Sequence, residues 1–212
     1  MYKSIPFVAL LLLNFIVPLS AEVVLFQDNF ENGLGKWTGS SGGSTSGVIV
    51  QDPLGTSRGN ALTFTSFSYT GDIFTASKIS TAGYGAIHVS FDYLGMYGGS
   101  GGFVGVATGN PFIAGGWIAG VDQSAANGSG FTGIGISNDG SWRNYDIDIT
   151  SMLNANSLNG FYLIAEDWGD SGRSQGTYFD NIKVTGSVPE PSSLSLLALG
   201  GVVVALGRRR GI

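Results

Sequence analysis

Ile87-His88-Val89-Ser90-Phe91-Asp92-Tyr93 alternates apolar and polar residues at every step. That period of two belongs to an extended chain whose successive side chains point to opposite sides of a sheet, one buried and one wet. Tyr145-Asp146-Ile147-Asp148-Ile149 repeats the pattern. Working outward, further short runs at 23–27, 61–67, 73–79, 103–107, 117–121, 161–165 and 178–185 read as strands, and the two alternating stretches extend to 86–94 and 142–149. Asn138-Asp139-Gly140 and the glycines between 98 and 102 supply turn chemistry. Only 150–156 looks helical, for one or two turns. Nine or ten strands at this spacing predict an all-β antiparallel sandwich.

Composition supports this reading. The chain has 212 residues with 35 glycines, no cysteine and a net charge of -5. Setting aside both ends leaves roughly 165 residues, enough for one domain with a proper core. The acidic balance repels phosphate backbones and argues against nucleic-acid binding. Without cysteine there are no disulfides, no thiolate metal sites and no Cys nucleophile.

The two ends read as targeting segments. Residues 1–21 combine Lys3, an apolar run and Leu19-Ser20-Ala21, the layout of a secretory signal helix cut before Glu22. At the other end, Val188-Pro189-Glu190-Pro191 precedes an apolar stretch from 194 to 206, and Arg208, Arg209 and Arg210 follow. This order resembles the PEP-CTERM sorting signal. The resemblance implies that 188–212 is a sorting and anchor segment containing a short C-terminal transmembrane helix, and an exosortase-type transpeptidase that cuts near Pro189–Pro191. It implies transient anchoring in the inner membrane, then release to the cell surface or an exopolysaccharide matrix. The physics agrees: arginines hold their end of the helix on the cytoplasmic side, leaving the domain at 22–187 outside.

Within that domain, Asp28-Asn29-Phe30-Glu31 followed by Lys36-Trp37, and Tyr178-Phe179-Asp180-Asn181-Ile182 near the end, resemble carbohydrate-binding modules and galactose-binding-like domains. Gly59-Asn60-Ala61-Leu62 and Trp142-Arg143-Asn144-Tyr145 add to the likeness. The resemblance implies a jelly roll whose first and last strands meet at a structural calcium. Asp28, Glu31 and Asp180 are then the ligands, and carboxylates mixed with carbonyls suit that ion.

Catalytic chemistry is weakly represented. His88, the one histidine, lies on a strand without a nucleophile elbow. Asp146 and Asp148, and Glu166-Asp167, are neighbours along one strand and do not make a glycosidase pair, which leaves Glu166 with Asp92 to imagine facing each other across a concave sheet. No catalytic residue is assigned. Sugar rings stack on aromatic side chains, which points to Tyr93, Tyr97, Trp117 and Trp168 as the ligand platform, whereas Trp37 and Trp142 read as core plugs. The expectation is a module that binds extracellular polysaccharide. The alternatives are a structural matrix protein without a specific pocket and, further off, a glycan-active enzyme.

Overall fold

The computed structural model describes residues 21–65, 73–96, 101–110, 115–121, 133–167 and 176–188. The chain divides into two compact units, Val23–Ser187 and the pair Met1–Glu22 with Val188–Ile212. The first unit holds the sheets.

Thirteen strands are found among the described residues. They are β1 (Ala21–Asp28), β2 (Trp37–Thr38), β3 (Gly47–Gln51), β4 (Asn60–Phe64), β5 (Ile73–Thr75), β6 (Ile79–Ser80) and β7 (Ile87–Gly95). After them come β8 (Gly102–Ala107), β9 (Gly115–Gly120), β10 (Ile134–Gly135), β11 (Arg143–Asp148), β12 (Gly160–Asp167) and β13 (Thr177–Val188). One short helix, α1 (Thr150–Ala155), lies between β11 and β12.

The strands form two sheets. Sheet A runs β11-β7-β13-β4-β3, with β1 also paired to β13. Sheet B runs β10-β9-β8-β12-β5-β2, with β6 also paired to β12. Among β2–β13 the pairing is antiparallel apart from β9 with β10. This is the expected sandwich of jelly-roll kind, with the first strand beside the last.

Alternation decides which side chains meet between the sheets. Val89, Phe91 and Tyr93 of β7 and Phe179, Ile182 and Val184 of β13 face inward from sheet A. Val104 and Val106 of β8 and Phe161, Leu163 and Ala165 of β12 meet them from sheet B. Phe179 sits at the centre, its ring 5.2 Å from Tyr93, 6.0 Å from Phe91 and 6.3 Å from Phe64.

The expected run at 73–79 breaks into β5 and β6, and the expected helix is present as α1. Sequence pattern misses three strands, β2, β3 and β10. β2 and β10 have two residues each, too few to show a period. Gly47-Val48-Ile49-Val50-Gln51 of β3 reads as a plain apolar run beside a Ser/Gly-rich stretch, and its pairing with β4 makes it a strand.

Truncating Phe179 to Ala should therefore remove about 3–5 kcal/mol of stability, the range for a buried aromatic. The shift of the urea unfolding midpoint at constant slope checks it.

Candidate functional site

The acidic motif at the start of the domain has a structural task. Asp28 is buried; its Oδ1 accepts from Phe30 N at 3.1 Å and its Oδ2 from Trp37 Nε1 at 2.7 Å. Phe30 takes a left-handed φ of 60°, which throws its ring into the core against Trp37 at 5.9 Å. Trp37 is thus the core plug expected of it. Trp142 is not: it is partly exposed, stacks under the Arg58 guanidinium at 4.9 Å and donates to Asp52.

Glu31 is exposed and accepts from Asn60 N at 2.7 Å and Asn60 Nδ2 at 3.2 Å. Its carboxylate occupies the space a Cβ on Gly59 would fill, and Gly59 itself has φ +92°, so both conditions call for glycine. Asp180 lies on the outer face of sheet A, directly opposite Asp92 of β7. Two like charges across a strand pair repel. Arg58 reaches both, at 2.7 Å from Asp92 and 3.8 Å from Asp180, and Asn181 Nδ2 donates to both.

The pair is split by its surroundings. Burial acts to raise both acids, but Asn181, Arg58 and Asn144 outweigh it at Asp92 and hold that carboxyl below its ordinary value. At Asp180 burial prevails, and the charges of Asp92 and Glu31 add to it, pushing the carboxyl up to about 6. Of the three candidate calcium ligands, Glu31 and Asp180 therefore share one electrostatic neighbourhood, while Asp28 is occupied by Trp37 and Phe30. Among the described residues no three acids or histidines converge as a metal site.

A different surface lies on the far side of the sandwich. The outer face of sheet B carries a row across four strands, Trp117 of β9, Gly105 of β8, Ile164 of β12 and Phe74 of β5, each in register with the next. Phe74, Ala107 and Ile164 form a buried apolar cluster, and Trp117 and Tyr162 pack against it while staying partly exposed. A Cβ on Gly105 would lie 2.7 Å from Trp117 Cε3 and 3.0 Å from Cζ3, so the indole lies over that glycine. Phe103 likewise covers Gly120 and meets Trp117 edge-on at 5.6 Å. Glycine at these two places lets the rings lie against the sheet, Phe103 buried and Trp117 partly exposed.

Of the expected platform residues, Trp117 stays partly exposed on this face. Tyr93 is buried: it faces the inter-sheet core with 0% exposure, its hydroxyl donates to Asn138 at 2.7 Å, and burial pushes that hydroxyl's pKa up. The alternation of 87–93 already placed Tyr93 on the same side as Val89 and Phe91. Tyr97 and Trp168 lie outside the described residues. So do the signal segment at 1–20, Pro189, Glu190, Pro191, and Arg208, Arg209 and Arg210; Val188 is the exposed end of β13. Among the described residues no helix is long and apolar enough to cross a membrane. Sequence reasoning misses Tyr162 and Phe103 because their strands read as uniformly apolar, which hides the outer face. Glu166 and Asp92 cannot face each other, since they lie on different sheets and each points away from the core.

Residues 187–210 match the PEP-CTERM protein-sorting motif. This chain carries a PEP-CTERM sorting motif. Among solved structures, the PEP-CTERM-bearing chain is similar to the CBM22-2 xylan-binding domain of Paenibacillus barcinonensis Xyn10C, at 15% identity and TM-score 0.48, over 76% of this chain and 99% of that one. It is similar to the K3 cleaved adhesin domain of Lys-gingipain from Porphyromonas gingivalis, at 14% identity and TM-score 0.46, over 78% and 99%. A third is the C-terminal family 22 carbohydrate binding module of Clostridium thermocellum Xyn10B, at 12% identity and TM-score 0.46, over 79% and 94%. No curated protein matches.

The loop at 52–59 covers part of sheet A through Asp52, which accepts from Leu54 N, Thr56 N, Thr56 Oγ1 and Trp142 Nε1. Burial opposes its charge, yet these bonds hold the carboxyl at about 2, below the ordinary 3.8. A depressed carboxyl stabilises the fold above its unfolded value, and that contribution disappears as pH falls through the folded one. Asp52→Asn should thus lose about 1–2 kcal/mol at pH 7 once solvent screening is allowed for. The gap to wild type should close as pH falls from 4 toward 2. Urea unfolding across that window checks it.

Proposed function

We propose that this protein is exported, sorted through its PEP-CTERM tail, and binds extracellular polysaccharide on the outer face of sheet B. The observation that carries the reading is the Trp117 indole, which packs against Gly105 with Tyr162 nearby and stays partly exposed. A pyranose offers an apolar C–H face of matching size, and such stacking needs an exposed, rigidly held ring. Packing of Phe103 against Trp117 provides the rigidity. The tail supports the address: an exosortase-type transpeptidase would process it at the inner membrane and leave the domain at the surface or in the matrix.

The family expectation of a calcium ion is retained in narrower form. Glu31 and Asp180 are its proposed side-chain ligands, with backbone carbonyls for the rest. The raised Asp180 carboxyl supports this, because a cation beside it would relieve the repulsion from Asp92 and Glu31. Asp28 is left out, being bonded to Trp37 and Phe30.

Affinity electrophoresis of the full chain in a panel of neutral polysaccharides tests the main reading. Retardation by at least one is expected, with Trp117→Ala weakening it about tenfold, as a lost stacking contact of about 1–1.5 kcal/mol does. Failure of every polysaccharide, or an unaffected Trp117→Ala, would overturn it and favour a purely structural matrix role. For calcium, the melting temperature should rise when the ion is added to chelated protein, and Asp180→Asn should abolish that rise.

A further inference from the structure

Among the described residues an asparagine or aspartate stands directly before a glycine at Asn32-Gly33, Asp139-Gly140 and Asn159-Gly160. Glycine has no side chain to keep its backbone nitrogen away from the carbonyl carbon of the preceding side chain. That nitrogen can close a five-membered ring on that carbon. Whether it does depends on how firmly the two residues are held.

The structure holds two of the three. Gly160 is buried at the start of β12 and pairs with Ser80 of β6. A Cβ there would lie 2.6 Å from the Ile79 carbonyl oxygen, and the Asn159 carbonyl accepts from Thr81 N at 3.0 Å. The backbone at Asn159 cannot turn without parting β12 from β6. At Asp139, Oδ1 accepts from Ser141 N at 3.1 Å and Oδ2 from Arg143 Nε at 2.8 Å, so both oxygens are engaged.

Asn32-Gly33 differs on each count. Both residues are exposed, in the turn between β1 and β2. Gly33 has φ +84°, and nothing lies within 4 Å of the place a Cβ would take. Among the described residues neither the Asn32 side chain nor the Gly33 N–H has a hydrogen-bond partner. Asn32 also lines a polar pocket of about 560 Å³ beside β1 and β13, whose wall includes Lys36 and Lys183.

We propose that Asn32 is a site of spontaneous deamidation, and that the fold protects Asn159. The Gly33 nitrogen loses its proton and attacks Asn32 Cγ. One C–N bond closes a succinimide while the Cγ–Nδ2 bond breaks, and the amide nitrogen leaves as ammonia with that proton. Water, the only co-reactant, then opens the ring at either carbonyl to give aspartate or isoaspartate. The product adds a carboxylate to the pocket wall, next in sequence to Glu31. In a chain that persists outside the cell, this is a one-way gain of negative charge with age.

Ageing the full chain in mildly alkaline buffer, followed by peptide mapping with mass spectrometry, tests this. The peptide containing residue 32 should gain the mass difference between amide and acid, split between two products of different chromatographic retention. In the folded chain Asn32 should convert at least about tenfold faster than Asn159, because Asn159 must wait for a local opening of the sheet. In urea the two should convert at similar rates, since only the sequence step then remains. Asn32→Gln should suppress conversion at that peptide with the melting temperature unaltered. An Asn32 that stays intact in the folded chain, or an Asn159 that keeps pace with it there, would overturn the proposal.

Discussion

Sheet A is assembled around a strand that arrives last. β13 pairs with β7 on one side and touches β4 and β1 on the other, so the final segment of the domain fills the middle of the sheet. Inward, this places Phe179 among Phe64, Phe91 and Tyr93. Outward, the same register sets Asp180 against Asp92. The core contact and the charge conflict are two faces of one alignment, since shifting the strand by a residue would turn every side chain over.

Much of sheet A's outer surface follows from that conflict. Arg58, held over Trp142 by a loop that Asp52 organises, answers the charge of Asp92. Asn181 completes the answer from an irregular stretch of β13, where its own φ of 49° turns it outward. Sheet B's outer face is built differently. There the row from Trp117 to Phe74 is apolar, and glycines between strands let rings lie against the sheet. The two outer faces thus suit different chemistry, polar and charged on one, aromatic on the other.

Much of this was legible in the chain. The alternation at 87–93 and 145–149 revealed two strands and their inner faces, because period two carries orientation as well as conformation. The adjacency of first and last strands was implied by the family resemblance that the motifs at 28–31 and 178–182 carry. Tyr93 shows where reading for function outran reading for structure: its aromatic character suggested a platform, whereas its place in the alternation put it inside. Asp28 shows the reverse, an acid that suggested a metal and proved to be the acceptor for Trp37, nine residues on.

The sequence by itself determined the strand-rich domain, the buried face of its alternating strands and the sorting tail, because each is encoded by local pattern. Only the tertiary structure decided that Asp180 meets Asp92, that Trp117 lies over Gly105 and that Lys36 and Lys183 share a pocket. Those depend on register between strands far apart in sequence, and backbone hydrogen bonding across a sheet carries no mark in either strand alone of which partner it will find.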